Sequence, residues 1–316
     1  MGVPPVFVWV GLVWLTLAVL VAKVCGVFGR RSIAGPIRIA YSESGWSLVV
    51  ILFVGAAAYI LLGGLTARLC RRRNVDTNLT LLIAGAVAEV AAFGLWAAMS
   101  AMSRPQGIER LGLKLRRLPR GVLMGLVTLF VLYPMVLVIS EVTTVTLHRA
   151  GWPEPKPNAV LELVTASHQR FVVVLGVIMA VLIAPFFEEL AFRGFLQTVL
   201  SDLFAWTLRP SDAVPETALP VSNGESIPDG VVLSYARKLP QRDPEVPPIA
   251  RWTAVFITAI CFALVHVELA FMPPLFLLAV GLGYLYERTG NLWATIATHS
   301  LFNGLQIFLA LKFGMN

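Results

Sequence analysis

The sequence predicts an all-α protein, a polytopic transmembrane helical bundle of about eight spans with a candidate active site inside the membrane. Three observations carry this expectation. Hydrophobic residues make up 57% of the chain and charged residues only 14%, where a soluble domain carries about 25% charged residues. The mean hydropathy is +0.78, which belongs to the membrane class. A few ionisable side chains, moreover, lie inside apolar runs instead of between them.

Taken in chain order, runs long enough to cross about 30 Å of hydrocarbon fall near residues 5–28, 46–66, 78–102, 121–147, 171–200, 252–267, 270–287 and 291–312. The first has no basic n-region, since Lys23 is the first basic residue, so it reads as a retained span and not a secretory signal. The sixth and seventh are the shortest and are joined closely enough for a helical hairpin or a partly re-entrant pair. Pro273 and Pro274 suit the first turn of the seventh. Between the third and fourth spans, Ile108, Leu111, Leu115 and Leu118 alternate with Arg110, Lys114, Arg116 and Arg117. That pattern reads as a basic amphipathic helix on the membrane surface or a solvated basic loop. The stretch 201–251 is rich in Pro, Ser, Asp and Glu and reads as a polar extramembrane insertion. The balance of Lys and Arg between alternate loops favours both termini outside the cytoplasm.

The formal net charge is +7, but the basic residues cluster at the ends of apolar runs. They suit lipid head groups, so membrane lipids are expected partners and nucleic acid is not. Cys25, Cys70 and Cys261 have neither disulfide nor zinc-finger spacing.

An ionisable group within a span costs about 2.5–3.5 kcal/mol on insertion scales and calls for a function or a partner. The candidates are Glu89, Glu141, Glu188, Glu189, Arg193, His266 and His299. Glu189 and Arg193 are four residues apart, in the favourable order for an ion pair. Glu188 is turned about 100° away, which leaves it free to act as a base. His299 and Asn303, also four apart, share one face of the last span. His148 and His168 fall in connections and read as solvated. A carboxylate, two imidazoles and a carboxamide together suit amide hydrolysis: Glu188 and His266 to activate water, His299 and Asn303 to hold an oxyanion.

Several membrane peptidase classes are excluded by what the chain lacks. His266-Val-Glu268 has no second His on the same turn, so it is no His-Glu-x-x-His zinc site. No Asp lies in a span, and no Ser stands in a convincing nucleophile context.

Three blocks remain, in order: Glu188-Glu189-Leu-Ala-Phe-Arg193, Phe262-Ala-Leu-Val-His266 and His299-Ser-Leu-Phe-Asn303. With the run from Gly281 to Trp293, they resemble the CAAX-protease and bacteriocin-processing family of intramembrane proteases, which includes the Ras-converting endopeptidase. The resemblance covers roughly residues 171–312, and the long insertion between the first two blocks departs from the pattern. The first four spans match no family pattern, and the chain divides into N-terminal spans with the basic connection over residues 1–120 and a core over 121–316 that carries the polar insertion 201–251 and that the resemblance implies is catalytic. The resemblance also implies an integral, multi-pass protein of the cell membrane that cleaves a membrane-associated or prenylated protein or peptide. Glu188, His266, His299 and Asn303 would be catalytic, with Glu189, Arg193 and Phe262 supporting them. No cofactor is required, although zinc is chemically compatible with Glu188, His266 and His299. The competing readings are a non-catalytic membrane scaffold or bacteriocin-immunity protein, and a small proton-coupled transporter using Glu89, Glu141 and Glu188.

Overall fold

The computed structural model describes residues 45–103, 111–153, 159–167, 169–208, 248–266 and 268–313, together with Trp14, Thr16, Leu17 and Leu20. Most of the expected first span and most of the 201–251 stretch, as well as His168, lie outside the described residues. Those described are helical, with no strand among them.

The helices are α1 (Gly45–Arg72), α2 (Thr77–Ser103), α3 (Leu118–Arg149), α4 (Ala159–Ala166), α8 (Pro248–Leu264), α9 (Met272–Thr289) and α10 (Leu292–Phe313), with a composite rod between α4 and α8. The rod runs as α5 (Arg170–Ile178), a π-helical stretch Met179–Ile183, α6 (Ala184–Glu189), a second π-helical stretch Leu190–Gln197 and α7 (Thr198–Thr207). Five segments are long and apolar enough to cross a membrane: Val49–Arg72, Thr77–Met102, Leu115–Arg149, Arg170–Ala205 and Leu292–Phe313. The two segments expected to be shortest are α8 and α9. α8 ends at Leu264, short of the expected 267, so His266 stands in the turn that follows and not within the helix.

Local chemistry sets the joints. Asp76 caps α2, its Oδ1 accepting from the backbone N–H groups of Asn78 at 2.9 Å and Leu79 at 3.1 Å. Pro273 sits in the first turn of α9, and α9 ends on Gly290 at φ 53°, a left-handed residue whose N–H closes on the Tyr286 carbonyl. The turn is short enough to lay α10 directly back along α9. α3 approaches α10 so closely that a Cβ on Gly125 would lie 2.7 Å from the Ala297 Cβ and 3.0 Å from the Thr298 nitrogen. Small residues at such a crossing let membrane helices pack backbone to backbone, and here they fix the helix that carries His299.

The described part of the basic connection, residues 111–117, forms only a 3₁₀ turn at Leu115–Arg117. Leu111 and Leu113 are buried with Trp96, Phe195 and Leu292, so these side chains face the protein core instead of a lipid surface. Hydrogen bonds explain the placement. Tyr286 Oη donates to the Leu111 carbonyl at 3.1 Å, Arg117 Nη1 to the Gly290 carbonyl at 3.3 Å, and Asn291 Nδ2 to the Arg117 carbonyl at 3.2 Å. The connection is stitched onto the α9–α10 turn.

Candidate active site

The site begins on the rod. Glu189 and Arg193 are both fully buried, and Arg193 Nη1 donates to Glu189 Oε1 at 2.9 Å. Arg193 Nη2 reaches the Ala279 carbonyl of α9 at 3.3 Å, and the guanidinium lies 4.7 Å from the centre of the Phe262 ring of α8. A planar, fork-shaped cation serves all three contacts at once, which an ammonium could not do. The row continues at the same four-residue spacing: Gln197 Nε2 donates to the Gly283 carbonyl at 3.2 Å and to Glu287 Oε1 at 2.9 Å. The Glu189–Arg193–Gln197 row therefore ties the rod to α9. Spacing alone pointed to its first two members; Gln197, a neutral residue in an apolar run, gave no signal of its own.

His299 joins this row from α10. Its Nδ1 lies 2.9 Å from Glu189 Oε1, the oxygen that also receives Arg193. Because that carboxylate accepts, Nδ1 carries the hydrogen and Nε2 is turned toward Glu188, whose Oε2 is 3.8 Å away. Glu188 differs sharply from its neighbour: its side chain is 33% exposed where that of Glu189 is fully buried. Adjacent carboxylates thus divide, one enclosed in a bonded row and one partly exposed, with its Oε2 buried beside His299 and without a hydrogen-bond partner.

His266 reaches the same neighbourhood by another route. Its Nδ1 is 2.8 Å from the Phe262 carbonyl. A carbonyl can only accept, so Nδ1 again holds the hydrogen and Nε2 is left available. The Phe262 ring contacts both imidazoles, at 4.9 Å from the His266 ring and 5.7 Å from that of His299. The two histidines are therefore gathered around one aromatic plate. Asn303, one turn beyond His299, directs its Nδ2 at the Ala180 carbonyl of the rod, 2.9 Å away. One of its two amide hydrogens is thereby engaged.

Of the other intramembrane carboxylates, Glu89 comes to the site and Glu141 does not. Glu141 is exposed on α3. Glu89 is buried on α2, and the Glu188 carboxylate acts on it electrostatically. Its helix is held there by Phe93, one turn on, whose ring packs edge-on against Phe186 at 5.3 Å and Phe187 at 5.8 Å. Among the described residues, no group of three or more His, Cys, Asp or Glu is arranged to hold a metal ion. His148 is exposed at the end of α3.

Residues 170–219 and 225–305 match the family model described as type II CAAX prenyl endopeptidase Rce1-like. Over these residues the chain is similar to that family. No match was found among curated proteins or among solved structures. The Rce1-like region begins at the first residue of α5 and ends just past Asn303, so it holds Glu188, Glu189, Arg193, Phe262, His266, His299 and Asn303 together. The match is broken within the 201–251 stretch, at 220–224. α1 to α4 precede the Rce1-like region, and Glu89 is brought to its edge from outside it.

Proposed function

We propose that this protein is an intramembrane endopeptidase that hydrolyses a peptide bond of a membrane-associated or prenylated protein, using water activated by Glu188. The observation that carries the reading is the division between the two carboxylates. Glu189 is enclosed with Arg193 and His299, whereas Glu188 stays partly open and faces His299 Nε2 at 3.8 Å. The Rce1-like match over the same helices supports a peptide substrate.

In this mechanism Glu188 takes one proton from a water, and the resulting hydroxide oxygen bonds to the scissile carbonyl carbon. His266 Nε2, free once Nδ1 is engaged, accepts the water's second hydrogen and orients the attack. The carbonyl π pair moves onto oxygen, and the oxyanion is met by the remaining Asn303 amide hydrogen and by His299 Nε2–H. Donation from Nε2 requires a hydrogen on both ring nitrogens of His299, with Nδ1–H held by Glu189 Oε1 and Nε2 facing the Glu188 carboxylate. The proton held by Glu188 passes to the departing amine as the C–N bond breaks, leaving a carboxylic acid and an amine. Apolar walls shield these bonds from bulk water and strengthen them.

The test is cleavage of a farnesylated CAAX-type peptide by the purified protein, followed by mass spectrometry, alongside a comparison of membrane proteomes carrying wild-type or Glu188→Gln protein. Substitution should lower cleavage by roughly 10²–10⁴-fold, and an uncleaved precursor should accumulate in the Glu188→Gln membranes. Equal cleavage by wild type and variant, with no precursor accumulating, would end the proposal.

A further inference from the structure

The first π-helical stretch holds a backbone problem that Asn303 is placed to solve. In Met179–Ile183 the hydrogen bonds step five residues: the Ala184 N–H closes on the Met179 carbonyl. The next donor in that register should serve the Ala180 carbonyl. That residue is Pro185, which has no N–H. A carbonyl left open within a membrane helix costs several kcal/mol unless something else donates to it, and the side-chain amide that reaches Ala180 is Asn303 Nδ2, at 2.9 Å.

We infer that Asn303 is a positioning residue: its amide replaces the N–H missing at Pro185, completes the π-helical register of the rod, and so sets the rotation at which Glu188 and Glu189 meet His299. A shift from five-residue to four-residue bonding turns everything beyond it by about 100°. Glu188 and Glu189 lie only one turn past Pro185, on the six-residue helix α6. A rotation of that size would exchange the open carboxylate with the enclosed one. His299 and Asn303, four residues apart on α10, then act as two fixings on one rod. His299 holds the Glu189 side chain, and Asn303 holds the backbone below it.

The inference extends the proposed mechanism, which uses the other hydrogen of the same amide. It can be tested with four proteins in detergent: wild type, Asn303→Ala, Pro185→Ala and the double variant. Alanine at 185 restores a backbone N–H, which can serve the Ala180 carbonyl or free an upstream one to do so. The loss on Asn303→Ala should therefore depend on Pro185. Asn303→Ala is expected to lower Tm by several degrees in the wild-type background and by less than half as much beside Ala at 185. Cleavage of the farnesylated peptide by the double variant should exceed that by Asn303→Ala alone, because the rod regains its register. A Tm loss equal in the two backgrounds, no Tm loss in either, or failure of Pro185→Ala to fold would overturn the inference. If Asn303→Ala alone fails to fold, folding of the double variant supports the inference and failure of both overturns it. The Tm comparison is independent of any enzymatic activity, so a failure of the peptidase reading and a failure of this one are told apart.

Discussion

His299 Nδ1 and Arg193 Nη1 meet on one atom: both donate to Glu189 Oε1, each at 2.9 Å. A single buried oxygen thereby joins the rod to α10 and fixes which nitrogen of His299 is turned to Glu188. The carboxylate that the sequence pairs with Arg193 is bonded to His299 as well. Its neighbour Glu188 stays partly exposed.

Stability and activity should separate along this line. Arg193→Ala leaves the Glu189 charge buried with His299 as its remaining donor, and breaking a buried pair from one side costs about 3–5 kcal/mol. A fall in Tm on the order of 10 °C is expected in detergent, read by tryptophan fluorescence. Glu188→Gln should hold Tm within about 2 °C of wild type, since a partly exposed group outside the bonded row costs within about 0.5 kcal/mol, while lowering cleavage by roughly 10²–10⁴-fold. A large Tm loss in Glu188→Gln would contradict the division of roles.

Arg193→Lys should behave much like Arg193→Ala. An ammonium reaches Glu189 but cannot also bond the Ala279 carbonyl and lie against Phe262. Recovery of wild-type Tm by Lys would show that charge alone holds the row.

The α3–α10 crossing predicts a paired rescue. Gly125→Ala drives a methyl to 2.7 Å from the Ala297 Cβ, and overpacking of this kind costs about 1–3 kcal/mol. Because Thr298 is next to His299, cleavage should fall as well. Ala297→Gly removes the opposing methyl but not the Thr298 nitrogen at 3.0 Å and the Ala294 carbonyl at 3.2 Å, so Gly125→Ala/Ala297→Gly should regain part of the Tm and the cleavage lost in Gly125→Ala.

Glu89 and Glu141 look alike in the sequence and should differ in function. Glu89→Gln, beside Glu188, is expected to alter the pH–rate profile of cleavage, whereas Glu141→Gln, exposed on α3, should leave rate and profile unchanged. Proton-coupled uptake into vesicles that depended on both residues would favour a transporter instead.

Helix content, the Glu189–Arg193 pair and the shared face of His299 and Asn303 were legible in the sequence because each depends on local periodicity. Where that face points was not. The bonds from His299 to Glu189 and from Asn303 to Ala180 depend on how α10 lies against the rod, and packing angle leaves no trace in spacing. The end of α8 escaped for a different reason: Val265 and Val267 carry the apolar run across His266 in the sequence, yet the chain leaves the helix at Leu264 and bonds the His266 ring to Phe262. Gln197 was overlooked, and Leu111 was read as part of a surface helix or basic loop, because their tasks belong to tertiary hydrogen bonds. The π-helical stretches likewise have no compositional mark, although Pro185 inside a long apolar run was a visible sign of an open carbonyl.

The Glu189–Arg193 bond lies within one helical turn of a single segment, and this bears on how the protein is made. α10, which carries His299, is synthesised after the rod. Had Arg193 depended on it for a counter-ion, the guanidinium would have faced the insertion machinery and the lipid alone while the rod waited. A partner four residues away lets the segment enter the bilayer already neutralised, before any other helix has arrived to receive it. The order of synthesis thus favours drawing the two most deeply buried charges of the site from the same stretch of chain.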